Sequence, residues 1–246
     1  MTDVSPQAGV GSRAGDVSPK AGVGSRAGEA QRWATFDCYG TLIDWHGGIV
    51  GCFRRLWPTH DFEHLLRLHH AIEPLVQEGR SLPYREVGAR TLCAIAAVEG
   101  LPLRPEDEYA FADSLPSWPA FADVAPALTE LRARGWRLAI LSNTDPDLLE
   151  ASMKQIGVPF DTWVTAREAG SYKPSHGHWQ RFFAETHADR SRHVHVAASP
   201  FHDLVPAEEL GLRAVWINRT RERSDLPRAA ELPDCAALPD TLDRLV

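Results

Sequence analysis

The stretch Trp33-Ala34-Thr35-Phe36-Asp37-Cys38-Tyr39-Gly40-Thr41-Leu42 decides the fold. Its first four residues are mostly apolar and predict a short buried strand, and the polar residues and the glycine that follow predict a tight loop. In an open α/β sheet, ligands bind beyond the carboxyl ends of the strands, so Asp37 is placed where a nucleophile would lie. Gly40 lets the backbone turn sharply, and Thr41 offers a hydroxyl group. A lone Asp at this point could equally cap a turn.

An α/β pattern resumes after residue 118, where Asp123 is the predicted N-cap of a helix. Four apolar runs then predict further strands at residues 137–141, 162–165, 195–198 and 214–217. They alternate with predicted helices near residues 146–156, 175–188 and 204–210, which is typical of a doubly wound, Rossmann-like parallel sheet. Right-handed crossovers bring the carboxyl ends of all strands to one edge. Four polar residues would meet there: Asp37, Ser142, Lys173 and Asp203.

Four short motifs follow predicted strands in order along the chain, at residues 37–42, 141–143, 171–174 and 199–203. Together they resemble the four motifs of the haloacid dehalogenase superfamily, whose members use an aspartate nucleophile. The sequences Phe-Asp-x-Tyr-Gly-Thr-Leu, Ile-Leu-Ser-Asn and Ser-Tyr-Lys-Pro are most similar to the type II 2-haloacid dehalogenases. The run at residues 215–219 is also similar to that group.

A helical insertion separates the first motif from the second. Apolar residues recur at helical spacing between Phe62 and Val76 and again between Val87 and Val98. The resemblance implies that this insertion is a cap that closes over the site and excludes water. We therefore predict an α/β core of residues 29–45 and 119–246, with a helical cap at residues 46–118.

The resemblance also implies roles for the motif residues. Asp37 would displace a halide from a 2-haloalkanoic acid and form an aspartyl ester, and Lys173 would keep Asp37 ionised. Asp203, assisted by Ser199, would direct the water that hydrolyses the ester to give a 2-hydroxy acid. Alternatively, Asp203 would only N-cap the helix that follows it. Substrate contacts are assigned to the first two motifs: Cys38, Tyr39, Thr41, Ser142 and Asn143.

The leaving group is indicated by two positions. Phosphatases of the superfamily carry a second Asp two residues after the nucleophile, which protonates an alkoxide, whereas this chain has Tyr39. Ser199 stands where they carry an acidic Mg²⁺ ligand, so we predict no metal and no other cofactor. A phosphatase, a hydrolase of another activated carbon bond and a non-catalytic binding protein remain as alternatives.

Other positions depart from the type II pattern. Pro200 replaces an Asn, and His202 replaces an aromatic residue; His202 could bind an anion when protonated, act as a base or fill space. The arginine of the cap that meets the halide is matched to Arg67, with Arg80 or Arg85 as alternatives.

Eleven histidines raise the question of a metal site, particularly at residues 176–178 and 193–195. Alternate residues of a strand face the same way, so His193 and His195 could meet a common partner. Neither pair has a third ligand at diagnostic spacing, which argues against a metal site.

Composition bounds the partners. A net charge of −7 and a pI near 5.9 argue against nucleic acid, because no basic block exists to neutralise phosphates. The four cysteines are scattered, as expected of free thiols in a reducing compartment. No apolar run approaches the roughly 20 residues that span a bilayer. We predict a cytoplasmic protein that binds a small-molecule carboxylate and neither membrane nor nucleic acid, and a homodimer stays open.

Residues 3–15 recur almost unchanged at residues 16–28, with Gln7 replaced by Lys20. The repeat is rich in Gly, Ala and Ser and cannot bury a core, so we predict a disordered tail at residues 1–28. We expect deletion of this tail to leave the melting temperature and the activity unchanged. Thermal melting and assay of the truncated and full-length chains test this, and a drop of several degrees would show that the tail is part of the fold.

Overall fold

The computed structural model describes residues 31–78 and 82–246, so the predicted tail and Arg80 lie outside the described residues. Within them, six strands form one parallel sheet in the order β3-β2-β1-β4-β5-β6. The strands are β1 (Arg32–Phe36), β2 (Trp136–Ser142), β3 (Thr162–Thr165), β4 (His193–Ala197), β5 (Ala214–Ile217) and β6 (Ala230–Leu232). The predicted doubly wound α/β fold is confirmed, and only the short β6 was not predicted.

The order of the strands shows where the ligand-binding crevice of the sheet lies. The chain runs from β1 outward through β2 to β3 on one side, and from β4 outward through β5 to β6 on the other. The order therefore reverses between β1 and β4, and ligands of such sheets bind at this reversal, beyond the carboxyl ends. Asp37 follows β1 directly, and Asp203 lies in a π-helical turn (Pro200–Leu204) that follows β4.

Ten helices are present in the described part of the chain. Four lie between β1 and residue 118, as predicted for the insertion: α1 (Trp45–Leu56), α2 (Phe62–Gln77), α3 (Tyr84–Glu99) and α4 (Ala110–Ser114). The others are α5 (Val124–Ala133), α6 (Pro146–Ile156), α7 (Ala166–Ala169), α8 (Gly177–Thr186), α9 (Val205–Glu209) and α10 (Leu238–Leu245). None of the described helices is long and apolar enough to cross a membrane.

The helices of the insertion bury one face each. Leu65, Leu66 and His69 lie on the buried side of α2, and Gly100 ends α3 in a left-handed conformation. One hydrophobic cluster contains both Phe53 of α1 and Leu138 of β2, so packing is continuous between the insertion and the sheet. The division into a core and a separate cap stays a prediction.

Hydrogen bonds also join the insertion to the sheet. The carboxylate of Asp145, which precedes α6, accepts the backbone N–H groups of Tyr84 and Arg85, each at 2.9 Å. These are the first amides of α3, which have no acceptor within their own helix. The Tyr172 hydroxyl donates to the Leu82 carbonyl at 2.7 Å. Asp145 therefore supplies, from the sheet side, the acceptor that α3 needs at its N-terminus.

The structure corrects the prediction that Asp123 caps a helix. Asp123 precedes α5 as expected, but its carboxylate caps no helix amide. Instead it accepts two hydrogen bonds from the Arg219 guanidinium, at 3.0 and 2.8 Å, and one from the Cys235 amide at 2.8 Å. A bidentate, charge-assisted pair is stronger than a cap bond. Arg219 also donates to the Thr41 carbonyl at 2.9 Å, so this ion pair anchors the loop that carries Asp37.

Candidate active site

The Lys173 ammonium group is the centre of the site. It donates to Asp37 Oδ1 at 2.8 Å, to Asp203 Oδ1 at 2.7 Å and to the Leu141 carbonyl at 3.0 Å. An ammonium group has three protons, so its donors are all used. The structure thus brings together three of the residues that the sequence placed at one crevice, and it leaves Lys173 a single orientation.

Charge within this cluster opposes the effect of burial. Burial lowers the pKa of Lys173, but the carboxylates of Asp203 and Asp37 outweigh it and raise this pKa above its usual value. Burial raises the pKa of Asp203, but the Lys173 ammonium and the hydrogen bond from His195 bring it well below the usual range. Lys173 is therefore a cation and Asp203 an anion at neutral pH.

Asp37 is held from two sides and is only 8% exposed. While Oδ1 accepts from Lys173, Oδ2 accepts the Thr41 hydroxyl at 2.8 Å. The same hydroxyl oxygen accepts the Ala198 amide at 2.8 Å. Thr41 was predicted to contact substrate, but its hydroxyl proton is given to Asp37, so it orients this carboxylate.

Asp203 lies inside the π-helical turn after β4, and π-helical turns are frequent at functional sites. Its Oδ1 accepts from Lys173 and from His195 Nε2 at 3.0 Å, whereas the buried Oδ2 has no partner among the described residues. The alternative that Asp203 N-caps a helix is wrong, because Ser199 is the N-cap. Asp203 Oδ2 is thus a free acceptor beside Asp37 and Lys173.

Ser199 and His202 bond to each other. The Ser199 hydroxyl oxygen accepts the His202 amide at 3.1 Å and lies 3.1 Å from His202 Nδ1. Burial lowers the pKa of His202, which makes the imidazole neutral at pH 7. Of the roles open to His202, binding an anion as a cation is therefore disfavoured. Pro200 starts the turn, where its missing N–H costs nothing.

Ser142 and Asn143 differ in what they offer. The Ser142 hydroxyl is buried and has no partner within residues 31–78 and 82–246. Asn143 instead clamps the backbone of Lys173: its Oδ1 accepts the Lys173 amide at 2.6 Å, and its Nδ2 donates to the Lys173 carbonyl at 3.0 Å. Ser142 is the free hydroxyl at this edge, and Asn143 fixes the backbone that carries the lysine.

Two residues of the first motif turn their side chains away from solvent. The Cys38 thiol is packed in the hydrophobic cluster, where burial raises its pKa well above the usual value. The Tyr39 hydroxyl hydrogen-bonds Ser152 at 2.9 Å, and its ring lies edge-on to Trp118. The backbone amides of Cys38 and Tyr39 have no acceptor in the part of the chain that the structure describes. Among the polar groups of Cys38 and Tyr39, the backbone amides are therefore the free donors.

Of the three arginines considered for the halide contact, Arg67 and Arg85 are described by the structure, and neither is bonded to this cluster. Arg67 is exposed on α2 and makes no ion pair with any described residue. Arg85 pairs with Asp147 and lies near Asp145. Because each guanidinium is directed to solvent or to other carboxylates, the predicted halide contact of Arg67 finds no support in this geometry.

Three residues that lie beside Asp203 or continue its hydrogen bonds were not assigned to the site by the sequence analysis. His195 donates to Asp203, and Thr35 Oγ1 lies 2.9 Å from His195 Nδ1 and 2.8 Å from His193 Nε2. The alternation of the histidines along β4 did indicate a common partner, and Thr35 is that partner. What the sequence lacked was the register, which sets Thr35 beside His195.

The residues present do not fit the Mg²⁺ of the phosphatase branch. Mg²⁺ prefers charged oxygen ligands in near-octahedral geometry. Ser199 supplies a neutral hydroxyl whose oxygen is already bonded to His202. Among residues 31–78 and 82–246, no three His, Cys, Asp or Glu side chains are arranged to hold a metal ion.

Comparison with known proteins identifies a family and several relatives. The model of the haloacid dehalogenase-like hydrolases matches residues 32–211. The chain is 26% identical to an (S)-2-haloacid dehalogenase of Pseudomonas sp. strain YL, over 75% of this chain and 82% of the relative. It is 27% identical to haloacetate dehalogenase H-2 of Moraxella sp. strain B, over 75% of this chain and 84% of the relative.

Solved structures show the same fold. A crystal structure of an L-2-haloacid dehalogenase superposes with a TM-score of 0.79 at 24% identity, covering 87% of this chain and 100% of the other. That of Xanthobacter autotrophicus with chloropropionic acid covalently bound gives 0.78 at 18% identity, covering 88% and 100%. With the family match over residues 32–211, these findings show that the chain belongs to the haloacid dehalogenase-like hydrolases.

Proposed function

We propose that this protein converts 2-haloalkanoic acids into 2-hydroxy acids through an ester on Asp37. The observation that carries the proposal is the state of Tyr39, which stands where a phosphatase has its proton donor. Its hydroxyl is bonded to Ser152, and burial raises its pKa above the usual value. A leaving group that needs no proton suits this site, and a halide is such a group. The haloacid dehalogenases among the relatives support the same substrate class.

The first step needs an ionised, oriented Asp37. Lys173 and Thr41 each hold one of its oxygens, so the carboxylate presents a defined direction of attack. A carboxylate oxygen attacks carbon 2 and forms the ester bond, while the halide leaves with the electron pair and the configuration inverts. The free amides of Cys38 and Tyr39 and the Ser142 hydroxyl would bind the carboxylate of the substrate.

The second step needs a water molecule beside the ester. Asp203 Oδ2 is an ionised acceptor without a protein partner, and it can hold and orient such a water. The water attacks the carboxyl carbon of Asp37 rather than carbon 2. One oxygen of Asp37 then leaves with the product, and the oxygen of water replaces it. One proton of the water goes to the product alkoxide, and the other is released to solvent as Asp37 returns to the carboxylate.

A hydrolase of another activated carbon bond is the second candidate. The position of the arginines favours it, because neither Arg67 nor Arg85 is directed to the cluster around Lys173. The resemblance assigns an arginine of the cap to the halide, and a leaving group other than halide would not require that guanidinium.

A substrate screen tests the proposal. Halide release is measured with chloroacetate and with both enantiomers of 2-chloropropionate and 2-bromopropionate, and p-nitrophenyl phosphate with Mg²⁺ serves as the counter-screen. We expect release of halide and none of phosphate, and none of either from the Asp37→Asn variant. Phosphate release without halide release would refute the proposal.

We expect halide release to survive EDTA. Ser199 contributes a neutral hydroxyl where a Mg²⁺ site needs a carboxylate, so the reaction has no metal to lose. Turnover is compared before and after dialysis against EDTA, with a Mg²⁺-dependent phosphatase treated alongside as the positive control. Loss of turnover that added Mg²⁺ restores would contradict this prediction and favour a Mg²⁺-dependent phosphatase.

A further inference from the structure

A chain of hydrogen bonds runs from Asp203 into the interior of the sheet. Asp203 Oδ1 bonds to His195 Nε2 at 3.0 Å, His195 Nδ1 to Thr35 Oγ1 at 2.9 Å, and Thr35 Oγ1 to His193 Nε2 at 2.8 Å. All four residues are completely buried. Burying this many polar groups is costly unless each is paired, and apolar side chains would fill the same space without that cost. The hydrogen bonds themselves therefore indicate a role for these residues.

One arrangement of protons satisfies every bond of this chain and leaves no buried imidazole N–H unpaired. Because Asp203 Oδ1 is ionised and also accepts from Lys173, His195 Nε2 must carry a proton. His195 Nδ1 can then accept the Thr35 hydroxyl, whose oxygen accepts His193 Nε2–H. Burial lowers the pKa of His193 to about 3, so His193 is neutral and its Nδ1 is a bare acceptor. That atom has no partner among the described residues, and an unpaired acceptor is less costly than an unpaired N–H.

The surrounding residues hold this arrangement rigidly. Thr35 lies beside His195 in the register of β1 and β4, and His193, two residues before His195, lies on the same face of β4. The Trp179 ring packs edge-on against His195 at 5.2 Å, and the Phe183 ring packs against His193 at 5.0 Å. Both imidazoles are also completely buried, so packing restrains their directions before any ligand binds.

We propose that His195 is a positioning residue for Asp203, and that Thr35 and His193 fix its tautomer, so that Oδ2 stays free for the water of the second step. Lys173 and His195 approach the same oxygen from different elements, which sets both the place and the rotation of the carboxylate. Without His195, the carboxylate could rotate about its bond to Cβ and give either oxygen to Lys173. The inference rests on the proposed function, because it concerns the hydrolysis of the Asp37 ester.

The variants His195→Leu, His195→Gln and Thr35→Val test this with 2-chloropropionate as substrate. For His195→Leu we expect kcat to fall about 10–100-fold while kcat/KM stays within about 3-fold, because kcat/KM reports only steps up to halide release. Rapid quenching and mass spectrometry should then find the ester accumulating on the peptide that contains Asp37. Gln can place an amide N–H near the former Nε2, so His195→Gln should recover most of kcat.

Thr35→Val keeps the shape of the side chain and removes only the hydroxyl. Thr35→Val keeps the contact between His195 and Asp203 but removes the group that fixes the tautomer of His195. We therefore expect a smaller loss of kcat, again in hydrolysis of the ester. A parallel fall of kcat and kcat/KM in His195→Leu with no ester detected, or an unchanged kcat, would overturn the inference. Thermal melting of each variant shows whether a loss reflects unfolding.

A measurement without substrate separates this inference from the proposed function. In the ¹⁵N spectrum of the wild-type protein, His195 should show a protonated Nε2 and a bare Nδ1. A proton on Nδ1 alone would overturn the inference, whatever the enzyme hydrolyses. If instead no 2-haloacid is turned over by the wild type while His195 has this tautomer, the proposed substrate class fails and the positioning of Asp203 stands.

Discussion

Replacement of Asp37 by asparagine is expected to abolish turnover, with a loss of at least about 10⁴-fold in kcat. An amide is a far poorer nucleophile than a carboxylate, so the first step loses its attacking group. The variant should still fold, since Asn Oδ1 can accept the hydrogen bond from Lys173 while its Nδ2 donates to the Thr41 hydroxyl oxygen. Asp113→Asn, which changes an exposed Asp of α4, is the matched control and should keep full activity.

A single turnover in H₂¹⁸O identifies the covalent step in the unaltered protein. With enzyme in excess over substrate, the ester mechanism puts the label into Asp37, and the hydroxyl oxygen of the product comes from the protein. Mass spectrometry of the product and of the peptide that contains Asp37 measures both. Label in the product of the first turnover, with none in Asp37, would refute the ester and leave Asp37 at most a general base.

Replacement of Lys173 by methionine is expected to have the second largest effect, on both activity and stability. Met fills a similar volume but leaves the buried Asp37 and Asp203 without a cation. Breaking a buried ion pair in this way costs about 3–5 kcal/mol of the free energy of unfolding. We also expect kcat to fall about 10²–10³-fold, because Asp37 loses the donor that aims it.

The pH dependence of this loss has a definite sign. In the wild type, the pKa of Asp203 is depressed, so its contribution to stability is complete above the unfolded pKa of about 3.9 and is lost as the pH falls below it. In Lys173→Met, burial dominates and raises this pKa above the unfolded value. The stability of the variant should therefore increase as the pH falls through that raised pKa towards the unfolded value.

Urea unfolding between pH 5 and pH 8 measures the free energy of unfolding of the wild type and of Lys173→Met as a function of pH. The difference in the free energy of unfolding between wild type and Lys173→Met should be largest at pH 8 and shrink towards pH 5. Lys154→Met, which changes an exposed lysine of α6, is the control and should parallel the wild type. A difference that does not vary with pH would show that the variant loses packing and no charge pair.

The sequence was sufficient for the parts of this molecule that follow from periodicity and chain direction. Apolar spacing located the helices α2 and α3 and the strands β1 to β5. Parallel strands share the edge at which they end, so Asp37, Lys173 and Asp203 could be placed together without coordinates. That argument uses only where each residue follows its strand.

The partners of individual polar side chains could not be obtained in this way. Thr41, Asn143 and Asp123 have hydrogen-bonding groups that could serve a substrate, a turn or a helix, and the choice depends on what the fold brings near. Asn143 meets the Lys173 backbone from a segment 30 residues away. The pair of histidines on β4 shows the same limit, because their common partner depends on strand register.

The Asp145 carboxylate at the start of α3 has a consequence for dynamics. The amide protons of Tyr84 and Arg85 are shielded by an acceptor that belongs to the sheet side of the molecule, and no carbonyl of their own helix can replace it. Each excursion of the insertion away from the sheet would expose both protons to solvent at once. Their exchange with deuterium would therefore respond to any separation of the insertion from the sheet, and a ligand that opposes such separation would slow the exchange of these two amides without touching either one.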